Sequence, residues 1–115
     1  VANLYQPTNP AILGLIRHVV DVAKKCGIKV GVCGESAAYP IVGVLWAAGG
    51  IGMLSMSATY IPVISKLLSK LTRRDLNDYR QAILDYSEDR TSEEILARCH
   101  EWMLEKIPDL DNIVI

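Results

Sequence analysis

The chain has 115 residues, 50% hydrophobic and 22% charged, a size and balance that fit one globular unit and exclude a multidomain protein. Its 12 basic and 13 acidic residues leave a formal net charge of -1 and are scattered along helical faces, which excludes the basic stripe that nucleic acid requires. No apolar run reaches the roughly 20 residues of a membrane span, because Arg17, Lys24, Lys29 and Glu35 interrupt the N-terminal half.

The first predicted element is a helix, opened by Asn9 as N-cap and Pro10 at the first helical position, where a missing N–H costs nothing. Ile12, Leu15, Ile16, Val19, Val20 and Ala23 recur at three- and four-residue spacing and form its expected core face. Arg17, Asp21, Lys24 and Lys25 are expected to face away, and Gly27 supplies the stop. Ile28 to Cys33 is short and rich in β-branched residues, which predicts a buried strand over 28–33.

Pro40 opens a second helix through Val44, Leu45 and Trp46 to Ala48, broken by Gly49-Gly50, and a second strand is expected over 52–56. Pro62 begins a helix through Ile64, Leu67 and Leu68. Thr72 to Asp75 then starts a capped helix to about Tyr86. Thr91-Ser92-Glu93-Glu94 is a capping box for the last helix, to about Ile107, so C-terminal helices fill 72–107.

Strands alternating with helices of this length imply an α/β fold with parallel βαβ crossovers, whose sheet must be covered on both faces. Two such strands make only about a quarter of a (β/α)₈ barrel. The chain also opens at Val1 without an initiator methionine, so it reads as a piece of a longer polypeptide. Cys26, Cys33 and Cys99 are odd in number and fit neither a disulfide framework nor zinc-ligand spacing; with no signal peptide visible, a reducing cytoplasm is expected.

The candidate site lies at the strand ends, where parallel α/β folds keep their reactive groups. Cys33 ends the first strand, Gly34 lets the backbone turn, and Glu35 brings a carboxylate. Cys33 is either a thiol poised for proton transfer or one more small buried hydrophobe. Ser55 and Ser57 end the second strand in the same way, as anion-binding hydroxyls or as a polar turn that satisfies its own backbone. Tyr5 and Gln6 could reach a pocket or simply pack. Cys99-His100 makes no dyad, because adjacent helical residues point about 100° apart. His18 falls on the polar side of the first helix.

Leu4-Tyr5-Gln6-Pro7-Thr8-Asn9-Pro10-Ala11, Val32-Cys33-Gly34-Glu35 and Leu54-Ser55-Met56-Ser57-Ala58, in register over roughly residues 3 to 105, resemble the end of enzyme I. Enzyme I is the phosphoenolpyruvate–protein phosphotransferase of the bacterial sugar phosphotransferase system. The resemblance implies the C-terminal section of a phosphoenolpyruvate/pyruvate-type barrel, a cytoplasmic homodimer that uses magnesium. It moves the phosphoryl group of phosphoenolpyruvate to its own histidine and then to the carrier HPr. Cys33 matches the family's cysteine, the proton donor to the pyruvate enolate, with Gly34, Glu35, Ser55 and Ser57 as binding or loop support. The phosphate-binding arginines, magnesium-binding carboxylates and phosphorylated histidine belong to regions before this chain, so no metal ligand is expected here and the isolated chain should be inactive.

Pyruvate phosphate dikinase and phosphoenolpyruvate synthase are similar but differ at the Tyr-Gln-Pro and Ser-Met-Ser-Ala segments. The chain departs from the enzyme I pattern at Ser36, Ala37, Ala38 and Tyr39, and at Gly52-Met53, where two carboxylates are usual. A degenerate homologue serving as a dimerisation module is therefore the other reading.

Overall fold

In the computed structural model, which describes residues 8–33 and 39–113, the first helix begins and ends on the residues expected of it. Helix α1 (Pro10–Cys26) is capped by the Asn9 side chain, which accepts from the Ala11 N–H at 2.9 Å. It stops at Gly27, whose φ of 68° lies in the left-handed region that glycine reaches without a Cβ clash.

The expected core face of α1 is corrected. Leu13, Val20 and Ala23 are buried and Ile16 is half-buried, whereas Ile12, Leu15 and Val19 are exposed, Leu15 by 59%. The helix is turned so that Leu13, Ile16 and Val20 meet the body of the protein. Arg17, Asp21, Lys24 and Lys25 are exposed, as expected, the first three beside a groove. Apolar spacing marks a helix, but which neighbour it meets decides the buried stripe.

Strand β1 (Gly31–Cys33), helix α2 (Pro40–Ala48) and strand β2 (Met53–Ser55) form the expected parallel crossover, with Gly31, Val32 and Cys33 opposite Met53, Leu54 and Ser55. Both strands are shorter than the predicted 28–33 and 52–56. The Gly52 N–H still donates to the Val30 carbonyl at 3.1 Å, yet Ile28 and Lys29 run exposed with no strand beside them. A Cβ on Gly31 would lie 2.9 Å from the Met53 Cε, the free end of a flexible, exposed side chain that can swing aside.

Helix α2 is the centre of the core. Residues 41 to 46 are all buried, and the helix carries no charge to send toward solvent. Around it pack α3 (Ile61–Ser69), reached through a 3₁₀ turn at Ala58–Tyr60, then α4 (Arg73–Tyr86) and α5 (Ser92–Lys106). The Tyr79 hydroxyl of α4 donates to the Ile41 carbonyl of α2 at 2.8 Å, and its ring meets Trp102 of α5 at 4.7 Å between centroids. The core is thus mainly helix on helix, with the short sheet set against it through Val32 and Leu54.

Thr72 and Thr91 cap α4 and α5 with reciprocal boxes to Asp75 and Glu94. A last short helix, α6 (Leu110–Ile113), was not anticipated; it seats Leu110 in the core and holds Asp111 2.9 Å from the His100 Nε2. At the other end, the buried Thr8 hydroxyl donates to the Ser92 carbonyl at 2.8 Å, joining the entry of α1 to the start of α5.

Candidate functional site

The parallel register sets Cys33 and Ser55 side by side at the same end of the sheet. Alternation along each strand turns Val32 and Leu54 inward and leaves Gly31, Cys33, Met53 and Ser55 on the opposite, exposed face. Side chains at paired positions lie about 5 Å apart at Cβ, so a ligand over that face could touch both tips at once. The helices cover one side of this sheet and leave the other open, the side that carries the thiol.

Cys33 is exposed. Cys26, at the end of α1, is exposed as well. Cys99 supplies the contrast: burial pushes its thiol up to about 11, only partly offset by a hydrogen bond with Tyr79. Neighbouring His100 is engaged with Asp111 while Cys99 lies fully buried, so the two side chains face different surroundings, as helical geometry requires. His18 is exposed on α1.

Ser55 and Ser57 are both exposed near the tip of β2. Ser57 precedes the 3₁₀ turn but makes no side-chain cap, and the helix proper begins only at Ile61, so the turn gives no formed anion cradle. Gly34, Glu35, Tyr5 and Gln6 lie outside the described residues. Tyr39 stands at the N-cap of α2 and makes no side-chain bond to the helix, so that helix starts without the side-chain cap that Asn9 gives α1.

Magnesium favours carboxylate and water oxygens in octahedral array. Among the described residues no group of three or more His, Cys, Asp or Glu could hold a metal ion, and Gly52-Met53 puts no carboxylate beside the sheet. The strand tips as described do not fit a magnesium ion.

One further feature, not anticipated, is a groove between α1, α2 and α4. Its apolar wall includes Leu13, Val20, Trp46 and Ile83, and Arg17, Asp21, Lys24 and Arg80 stand along it.

Residues 1–73 match the PEP-utilising enzyme, PEP-binding domain, and the chain belongs to that family. Among curated relatives it is 42% identical over 97 residues to the phosphoenolpyruvate-protein phosphotransferase of Geobacillus stearothermophilus, covering 84% of this chain and 16% of that protein. The protein of the same name from Bacillus subtilis (strain 168) is 41% identical over 97 residues, again 84% of this chain and 16% of the relative. That of Haemophilus influenzae is 32% identical over 105 residues, 91% of this chain and 18% of the relative. The chain therefore spans less than a fifth of the length of these relatives.

Proposed function

We propose that this chain is the C-terminal section of a phosphoenolpyruvate–protein phosphotransferase, in which Cys33 hands a proton to the pyruvate enolate. The observation that carries the proposal is the register of the sheet, which presents Cys33 beside Ser55 on the uncovered face. In this reading that face turns into a (β/α)₈ barrel completed by chain outside these residues, and the helices lie on the barrel's outer side. The names of the relatives and the family match at residues 1–73 support the substrate class.

The chemistry divides into two parts. A histidine outside this chain takes the phosphoryl group of phosphoenolpyruvate, and the bridging oxygen leaves with the electron pair as an enolate. The enolate carbon then accepts the proton of the Cys33 thiol: a C–H bond forms, the S–H bond breaks, and pyruvate leaves a thiolate that regains its proton from water. In the reverse direction the thiolate removes a methyl proton. Ser55 and Ser57, with Gly34 and Glu35, border the space the substrate occupies. Magnesium is held by residues outside this chain, the phosphoryl group passes on to HPr, and the homodimer works in the cytoplasm.

Replacing Cys33 with Ala in the full-length protein tests the role of the thiol. Phosphoryl transfer from phosphoenolpyruvate to HPr should fall at least about 100-fold, the scale of a positioned general acid, with the secondary structure unchanged. Turnover equal to that of the unaltered protein would overturn the role. The 115-residue chain alone should transfer nothing, because the histidine, arginines and carboxylates lie elsewhere; phosphorylated HPr in that assay would refute the division of labour.

A second reading is an assembly module that has lost catalysis. The apolar stripe of Ile12, Leu15 and Val19 exposed on α1 favours it. Normal turnover with loss of the dimer after polar replacement of that stripe would separate the two readings, since catalysis and assembly would then rest on different surfaces.

A further inference from the structure

The open face of the sheet has a second row of residues, one step back from the strand tips. Cys33 and Ser55 form the outer row, and Gly31 and Met53, two residues earlier on each strand and paired with one another, form the inner one. A two-residue step along a strand is roughly 7 Å, so a ligand seated on the outer row also reaches the inner. Val32 and Leu54, between the rows, turn the other way and pack against the core.

The inner row is lopsided. Gly31 brings no side chain, and the space this leaves is covered from the neighbouring strand: a Cβ placed on Gly31 would have the Met53 Cε at 2.9 Å, the Met53 Cβ at 3.5 Å and the Met53 carbonyl oxygen at 3.5 Å as its nearest neighbours. The thioether of Met53 thus ends over the adjacent strand, on the face that carries the thiol. It is 64% exposed and free to move, with the rotatable bonds and soft sulfur that let a methionine mould itself to whatever rests on it. Of the four strand residues on this face, it alone brings an extended apolar side chain.

Phosphoenolpyruvate divides in the same way. Its phosphate and carboxylate are charged, whereas its third carbon is a bare CH₂, the atom that Cys33 protonates in the reading above. Only that end suits an apolar floor, because an anion set against a thioether loses its hydrogen bonds. We propose that Met53 is a specificity-determining residue for the carbon end of the substrate: the CH₂ that takes the Cys33 proton rests on the Met53 thioether, which fills the space over Gly31 and limits what the enol carbon can carry. The inference rests on the phosphotransfer reading and adds to it a residue of β2, at a position where the enzyme I pattern has a carboxylate.

The test uses the full-length protein and compares two phosphoryl donors to HPr, phosphoenolpyruvate and phosphoenol-α-ketobutyrate, which carries one methyl group on the enol carbon. Met53→Ala should raise kcat/KM for the methyl analogue, relative to that for phosphoenolpyruvate, by at least about 10-fold, the scale of one methyl group in an apolar pocket. Met53→Leu, which conserves volume, should keep the ratio of the unaltered protein. Leu54→Ala, on the opposite face of the same strand, should keep it too, which separates a floor from a general loosening of β2. An unchanged ratio in Met53→Ala, or an equal rise in Leu54→Ala, would overturn the role of Met53 while turnover of phosphoenolpyruvate and its dependence on Cys33 stand. Absence of transfer from phosphoenolpyruvate by the unaltered protein, or turnover indifferent to Cys33→Ala, would instead remove the phosphotransfer reading and this inference with it.

Discussion

Cys26, Cys33 and Cys99 share a side chain and differ in environment. Cys26 and Cys33 are exposed, so a maleimide should label both rapidly and Cys99 only as the chain unfolds, a stoichiometry that mass spectrometry reads directly. Cys99 also gives the fold an alkaline weakness. Its thiol keeps its proton in the folded state up to about 11 but loses it at the ordinary 9.0 when unfolded. Above that lower value the unfolded chain binds fewer protons than the folded one, so stability falls as pH rises from 9.0 toward 11. Burial beside Cys99 raises Tyr79 as well, which extends the decline to higher pH. Urea midpoints measured at rising pH should fall across this interval; a flat profile would contradict the burial of the thiol. At this scale the sequence placed Cys33 at a strand end because the β-branched run before it is a local signal. It could not decide whether Cys33 is exposed, because that depends on what covers the sheet.

Among the elements, the helix ends were the most legible part of the chain. Asn9, Thr72 and Thr91 act through side-chain hydrogen bonds a few residues long, Pro10, Pro40 and Gly27 through their own backbone geometry, and each marks a helix boundary in the structure. Thr91→Ala should destabilise the fold by about 1 kcal/mol, seen as a lower urea midpoint with an unchanged slope. The same cap has a pH signature. The Thr91 backbone N–H and hydroxyl contacts hold the Glu94 carboxyl below its ordinary 4.5, as the Thr72 backbone holds Asp75 below 3.8. Both carboxylates lend stability that is complete above those ordinary values and is lost as pH falls through the lower folded ones. The alanine variant should therefore show a shallower loss of stability in acid than the unaltered chain. What the sequence concealed at this scale were α6 and the 3₁₀ turn, each too short for a periodic signal, and the buried side of α1.

The molecule as a whole departs most from its sequence reading in where the core lies. Alternating strands and helices suggested a sheet covered on both faces, whereas the buried centre is α2 among other helices and the sheet is covered on one side. That outcome was recoverable only in part: the uncharged run from Pro40 to Ala48 signals complete burial, but nothing in it names α4 and α5 as the neighbours. The same one-sidedness leaves Leu15 and Val19 exposed on α1. Replacing both with Gln should change thermal stability by no more than about 0.5 kcal/mol per site, because neither side chain is in the core. Binding of a hydrophobic dye and self-association on light scattering should drop; a marked loss of stability would show that these residues are packed after all.

The Thr8–Ser92 hydrogen bond links positions 84 residues apart. During synthesis, the entry to α1 leaves the ribosome long before the carbonyl that fastens it exists. Within this stretch α1 is therefore locked in place late, and its apolar flank stays within reach of chaperones until the segment through Ser92 has followed it out.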